Sequence, residues 1–372
     1  MNLDIFTIFQ SSGYLHITPG LVVMWFIGIV LIYLAIARKY EPLLLLPIGF
    51  GIILANLPLT DLMHEGEGLI WRFYHYGIQW EIIPPLIFLG LGALTDFKPL
   101  LANPVLIFLG AGAQVGVYIT FFTAYGLGFS INEAATIGII GGADGPTTIF
   151  LAAKLAPHLL GVCAVAAYSY MAMVPIIQPP IMKLLTTKKE RLIKMKKARK
   201  VTQLEKLFFP IIATFIIILL IPASAPLISM FMLGNLFRES KVVERLTTAS
   251  KNELMNIVTI FLGISIGATM SAENFLRKEA IFIFFFGLFA FMISTASGVL
   301  LAKLINLFRK QKINPLLGAA GVSAVPMAAR VVHKVGEQED KKNYLLMYAM
   351  GPNVAGVIGT VIAAGIFLTF LK

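Results

Sequence analysis

The segment Ile137 to Leu155, IGIIGGADGPTTIFLAAKL, sets a carboxylate, two threonine hydroxyls and a Gly-Pro step inside an apolar run. A carboxylate such as Asp144 in hydrocarbon costs at least about 2.5 kcal/mol on insertion scales. The Gly145-Pro146 step interrupts a regular helix and frees carbonyls that water does not reach there. A small cation is the cheapest partner for an ionised carboxylate beside unwound carbonyls, as at the discontinuous helices of secondary transporters. The other reading of the same residues is a protonated aspartate hydrogen-bonded within a bundle. Around this break and a second one, Gly318 to Pro326, the polar residues are few and rich in oxygen. Asp144 supplies charge, Thr147, Thr148 and Ser323 supply hydroxyls, Asn314 and Asn353 amide carbonyls, and Tyr168 and Tyr170 phenols. Hard cations such as Na+ take oxygen ligands of this kind, whereas soft metals take thiolate or imidazole. The five histidines, His16, His64, His75, His158 and His333, form no HxH or HExxH spacing and read as residues of loops and span ends. Arg330 follows the second break in an otherwise apolar stretch. It reads either as a snorkelling edge residue, as Lys154 does at the equivalent place, or as a planar reader of a carboxylate at the mouth of a cation site.

Elements that hold such groups must lie in a membrane. Apolar residues make up 58% of the 372 positions and charged residues only 13%. The mean hydropathy of +0.84 leaves room for roughly ten spans of about 20 residues. The single cysteine, Cys163, excludes an intrachain disulfide and a CxxC metal or redox motif and reads as a small packing residue. The start, MNLDIFTIFQSSG, lacks a basic region and reads as no cleaved signal peptide. The net charge of +11 is concentrated between Lys183 and Lys206, where ten Lys or Arg face two Glu. The positive-inside rule makes that loop cytoplasmic. Nucleic-acid binding would require a folded basic domain or stacking aromatics, which the segment does not offer. Docking of a soluble acidic partner remains open on electrostatic grounds.

The apolar runs predict a short lead over 1–20 and spans at about 21–37, 42–59, 79–95, 103–125, 133–155, 158–182, 207–234, 254–272, 280–308, 313–332 and 343–371. An internal repeat relates them. Pro47 corresponds to Pro222, Gly92 to Gly267, Gly142 to Gly318 and Pro175 to Pro352, at a nearly constant offset of 175 to 177 residues. In the central window Gly142, Ala143, Gly145, Ala152 and Ala153 recur identically, with Lys154 over Arg330. The expected fold is an all-α polytopic membrane protein of about eleven elements, one leading helix plus two inverted five-element repeats. Its broken helices would cross near the midplane, where inverted-repeat transporters hold substrate and ion. The expected organisation is a lead and first span over 1–40, one repeat over 41–182, a basic loop over 183–206 and the inverted repeat over 207–372. If every element crosses and the basic loop is cytoplasmic, the N-terminus is cytoplasmic and the C-terminus external.

The runs IGGADGPTTIFLAAKLAPHLLGVCAVAAYSYMAMVPIIQPPIM, INPLLGAAGVSAVPMAARV and YAMGPNVAGVIGTVIAAG closely resemble the β subunit of the sodium-pumping biotin-dependent decarboxylases. That family serves oxaloacetate, methylmalonyl-CoA and glutaconyl-CoA decarboxylases, and the resemblance runs from the second span to the C-terminus. It implies an enzyme that decarboxylates carboxybiotin brought on a separate carrier and uses the free energy to export Na+. It further implies that Asp144, Tyr170, Asn314, Gly318, Ser323, Arg330 and Asn353 serve Na+ binding, proton supply or carboxybiotin handling. Asp144, Asn353, Ser323, Asn314, Gly318 and Thr147 are the candidate Na+ set, and Arg330, Tyr170 and Asp144 the candidate catalytic set, with Arg330 on carboxybiotin. No AMKM-like biotinylation sequence and no carboxyltransferase barrel occur in this chain. The implied partners are therefore a carboxyltransferase α subunit, a biotin carrier, small γ or δ membrane subunits and further copies of this chain, as a trimer by resemblance, in the inner membrane of a bacterium or archaeon. A Na+-coupled carboxylate symporter fits the residues read alone equally well. A structural subunit without transport fits worse, because it leaves Asp144 unexplained.

Overall fold

The computed structural model describes residues 12–196, 198–275 and 277–371. The part of the lead before residue 12, where no signal peptide is expected, lies outside the described residues. Among those described, every regular element is helical. Six helices are long and apolar enough to cross a bilayer, or seven when Leu69–Gln79 and Ile83–Leu94, bent by 64°, count as one span.

The chain opens with α1 (Pro19–Ala37), α2 (Pro42–Ala55), α3 (Ile83–Leu94) and α4 (Leu106–Gly126). A broken segment follows, with α5 (Ile131–Ile139), a 3-10 turn over Ile140–Gly142 and α6 (Gly145–Leu155). Ser130 and Glu133 start α5 with a reciprocal capping box. After α7 (Leu160–Leu185) comes the basic segment, then α8 (Gln203–Leu220) and α9 (Ala225–Ser240). The single span expected over 207–234 is thus two helices. Pro222, at the start of the 3-10 turn Pro222–Ser224, has no N–H to continue α8, so the chain reverses there. α10 (Met255–Ala268) and α11 (Lys278–Phe308) precede a second broken segment, the 3-10 stretch Pro315–Gly321 followed by α12 (Met327–Glu339). α13 (Leu346–Phe370) closes the chain.

Both broken segments fold back rather than run through. Glu133 at the start of the first meets His158 just past its end at 2.9 Å, and Lys154 meets Glu81 at 2.8 Å. At the second, Asn314 donates from Nδ2 to the Arg191 carbonyl (2.8 Å), and Arg191 Nε pairs with Glu339 Oε1 (2.7 Å). Each is therefore a hairpin with both ends on one face of the bundle. The faces are opposite, because the 26 residues of α7, about 39 Å of helix, separate His158 from Arg191. This differs from the expectation that all elements cross, and it changes the face on which α1 begins. α1 begins beside the 272–275 turn, on the face away from the basic segment, because two elements return and one expected span is two.

Two helix pairs tie the halves together by the same device. α9 lies on α3 and α10 lies on α2. A side-chain carbon at Gly92 would sit 1.9 Å from the Phe231 carbonyl oxygen, and one at Gly267 would sit 2.1 Å from that of Ile48. Small residues at such points let backbones approach, which is how helices associate where lipid removes the hydrophobic drive. Asn235 then donates to the carbonyl of Thr95 (2.8 Å), and Asn56 to that of Met270 (2.9 Å).

Candidate functional site

The two hairpins meet at their tips. The Ser323 N–H donates to the Gly142 carbonyl at 2.8 Å, and Ser323 Oγ lies 2.8 Å from Thr360 Oγ1 on α13. Ala143, at the first tip, takes the left-handed conformation with φ 53°, which turns the chain so that Asp144 caps α6. Asp144 Oδ1 accepts from the Thr147 N–H at 3.2 Å, and the Asp144 carbonyl accepts from Thr148 Oγ1 at 2.8 Å. Asp144 is only 4% exposed, so its second oxygen, Oδ2, is buried with no partner among the described residues. Thr147 Oγ1 is also buried without a partner. Tyr168 covers the site from α7, so close that a side chain at residue 145 would fall 2.2 Å from its ring.

The second tip is held differently. Asn353 on α13 donates from Nδ2 to the carbonyls of Ala320 (3.1 Å) and Val322 (2.7 Å). Gln178 on α7 donates to the carbonyl of Ala319 (2.8 Å). With their amide hydrogens so engaged, Asn353 Oδ1 and Gln178 Oε1 remain buried acceptors without partners. The tips thus combine a carboxylate oxygen, a hydroxyl and amide oxygens whose lone pairs no donor among the described residues meets. A buried unsatisfied polar atom costs about 1–3 kcal/mol, and a charged one more, so each of these oxygens calls for a partner.

Of the residues singled out in the sequence, Asp144, Thr147, Ser323 and Asn353 belong to elements that converge here. Asn314 does not reach the tips, because both its amide hydrogens go to the carbonyls of Arg191 and Ile193 and its Oδ1 caps Leu316. Gly318 packs against α11, where an added side-chain carbon would lie 2.0 Å from the Gly298 carbonyl oxygen. Tyr170 donates to the Phe284 carbonyl and sits in an apolar cluster with Cys163 and Ile140. Arg330 is exposed on α12, and its side chain makes no hydrogen bond or ion pair among the described residues. Lys154 pairs with Glu81 on the far face. Sequence reading passed over Gln114, Gln178 and Thr360. Glutamines inside apolar runs, GAGAQVGVY and VPIIQPPIM, were the available signal, since amides in hydrocarbon need partners.

The basic segment is docked on the mouth of the second hairpin. Besides the Arg191 contacts, Asn343 donates to the Arg191 carbonyl (3.0 Å) and Lys194 pairs with Asp340 (2.8 Å). The Lys194 ammonium holds the half-buried Asp340 carboxyl below its ordinary range.

Comparison with known proteins bears on what this arrangement serves. The β subunit of methylmalonyl-CoA decarboxylase from Veillonella parvula is 58% identical over 366 residues, covering 98% of this chain and 97% of the relative. The glutaconyl-CoA decarboxylase β subunit of Acidaminococcus fermentans is 55% identical, covering 98% and 97%. The oxaloacetate decarboxylase β chain of Haemophilus ducreyi is 49% identical, covering 99% of each. Residues 20–371 match the family described as the Na+-transporting oxaloacetate decarboxylase beta subunit, and the chain belongs to that family.

Proposed function

We propose that this chain is the membrane subunit that decarboxylates carboxybiotin, brought by a separate carrier, and moves Na+ across the membrane with the free energy released. The observation that carries the reading is the meeting of the two tips, with Asp144 Oδ2, Thr147 Oγ1 and Asn353 Oδ1 buried and unpartnered. Na+ is the cargo those oxygens suit. In this reading Asp144 supplies the charge that offsets its desolvation, and Asn353 and Thr147 supply neutral oxygens. Ser323 helps through its contact with the first tip rather than through a free lone pair. Arg330 orients the carboxylate of carboxybiotin. Tyr170 supplies a proton only after leaving the Phe284 carbonyl, so Asp144 itself, once Na+ departs, is the shorter route. Asn314 and Gly318 act by shaping the second hairpin.

The architecture we infer is two inverted repeats, each of four crossing helices and one hairpin, with α1 leading and α8 linking them. The reciprocal Gly92 and Gly267 approaches, and the Asn235 and Asn56 clamps on Thr95 and Met270, support it, since each pair keeps the sequence offset of 175 or close to it. α8 crosses between the repeats, which inverts the second. The basic segment marks the cytoplasmic face, and Arg38 and Lys39 fall on that side while Asp61, Glu65 and Glu67 fall on the other. The second hairpin then opens to the cytoplasm and the first to the outside.

Relatives named for three acyl substrates share 49 to 58% identity with this chain along nearly its full length. That pattern supports a choice of acyl substrate made in a carboxyltransferase subunit, with a carrier, a γ-type subunit and further copies of the chain completing the complex in a prokaryotic inner membrane. The test is decarboxylation of free carboxybiotin by the purified chain in liposomes, with radiosodium uptake followed in parallel. Both should appear together and depend on Na+. Sodium movement driven by an added carboxylate, without decarboxylation, would instead establish a symporter.

A further inference from the structure

The turn between α1 and α2 has a feature that the tip-to-tip site does not use. Lys39 and Glu41 hold φ of 55° and 37°, the left-handed region, in a turn with no glycine. Such strain persists where surrounding structure imposes it, and it gathers at ligand sites. This turn forms one wall of a cavity of about 280 Å³ whose other lining includes Pro175 of α7 and Met327 of α12. Pro175 is the first of three prolines inside α7, and Met327 is the first residue of the arm that leaves the second tip. Arg330 stands three residues beyond Met327, on the same side of α12. Arg38, Lys39 and Glu41 make no side-chain hydrogen bond or ion pair among the described residues, and burial raises the Glu41 carboxyl above its ordinary range. Two cations, one acceptor and an apolar floor of Ala172, Pro175 and Met327 therefore surround one opening on the basic face.

We propose that this cavity receives the carboxylated bicyclic urea of carboxybiotin, with Arg38 and Lys39 joining Arg330 around the carboxylate and Glu41 accepting from the remaining urea N–H. The inference rests on the carboxybiotin reading above and assigns it residues from an element outside both hairpins. The cation pair reads the anion, the acceptor reads the urea, and the floor takes the apolar thiophane edge. The cavity adjoins the arm of the second hairpin, so occupancy is felt next to the Na+ site.

The experiment uses the full chain in liposomes. The Arg38→Gln/Lys39→Gln variant should raise the KM for free carboxybiotin about tenfold while kcat and the thermal midpoint hold, the pattern of lost ground-state binding. An unchanged KM in a variant with a normal thermal midpoint overturns the proposal. A second measurement is independent of turnover. Lys39→Cys in a Cys163→Ala background should react with a thiol reagent, and carboxybiotin should slow that labelling more than biotin does. Labelling at one rate with and without carboxybiotin overturns the proposal as well. A wild-type chain that fails to decarboxylate carboxybiotin sinks the parent reading, and protection of residue 39 still reports separately on the cavity.

Discussion

The two hairpins meet at their tips from opposite faces of the bundle, yet they are built differently. The first has helix on both arms, a capping box at its entry and a carboxylate at its tip, and its tip carbonyls at Gly142 and Asp144 are met by the Ser323 N–H and by Thr148 Oγ1 of its own arm. The second has no acidic residue at its tip, and its carbonyls are held from two helices, by Gln178 and by Asn353. Its mouth is clasped by the basic segment through Asn314, Asn343 and the Arg191–Glu339 pair. Two breaks of similar sequence thus carry different chemistry. One hairpin carries the charge, and the other carries the frame and the tie to the basic segment.

The sharpest way to break this division is Asp144→Asn. Size is kept and the charge that offsets Na+ desolvation is lost, so Na+-stimulated decarboxylation and radiosodium uptake should both fall by about two orders of magnitude or more, the scale of several kcal/mol. Insertion and the thermal midpoint without Na+ should hold, because Asn still caps α6. A variant that pumps at the normal rate would falsify the assignment of charge to the first hairpin.

The second hairpin's side is tested by Arg330→Lys. If Arg330 reads a carboxylate through its planar fork, Lys keeps the charge and loses about 1–3 kcal/mol of bidentate contact. Turnover should drop by about one to two orders of magnitude. Protection of the fold by Na+ should survive, because the Asp144 side is untouched and ligand binding still stabilises the folded state. An edge arginine that only snorkels would be replaced by Lys at no loss of activity.

Much of this division was legible in the sequence, and what was missed has physical reasons. Asp144 stood out because a carboxylate in hydrocarbon demands a partner, and the Gly and Pro steps marked both breaks. Whether a break continues or reverses is not written in hydropathy, since either arm is apolar. The reversal depends on pairs far apart in the chain, Glu133 with His158 and Arg191 with Glu339. Asn314 drew notice as an amide near a break and, with Gly318, through the family resemblance, and in the structure the one clasps the Arg191 and Ile193 carbonyls while the other packs closely on Gly298. The split of the 207–234 run at Pro222 was visible as a proline, and an equally internal Pro47 leaves α2 unbroken.

Asn353→Ala sharpens the comparison within the second hairpin, since its amide both holds the tip and offers Oδ1. Removing it frees the carbonyls of Ala320 and Val322 in a dry site, a loss of about 1–3 kcal/mol. We expect a thermal midpoint lowered by several degrees and an apparent Na+ affinity weaker by roughly tenfold. If the midpoint falls and the Na+ dependence does not, Asn353 is frame alone.

The smallest effect belongs to the clasp. Asn314→Ala removes the donors to the Arg191 and Ile193 carbonyls and the cap on Leu316, while leaving the Arg191–Glu339 and Lys194–Asp340 pairs and the Asn343 contact in place. Because those parallel ties remain, the loss should stay near 1 kcal/mol, and it should appear locally. Trypsin should cleave within the 192–200 segment several times faster, since cleavage follows the population of the opened segment and about 1 kcal/mol is roughly a fivefold change in it. Na+ protection of the rest of the fold should be unchanged if Asn314 is a clasp, because Asp144, Thr147 and Asn353 keep their surroundings. If Asn314 is instead a ligand, Na+ protection weakens while the cleavage rate of the loop stays the same, and the two hairpins would then share the cation more evenly than their tips suggest.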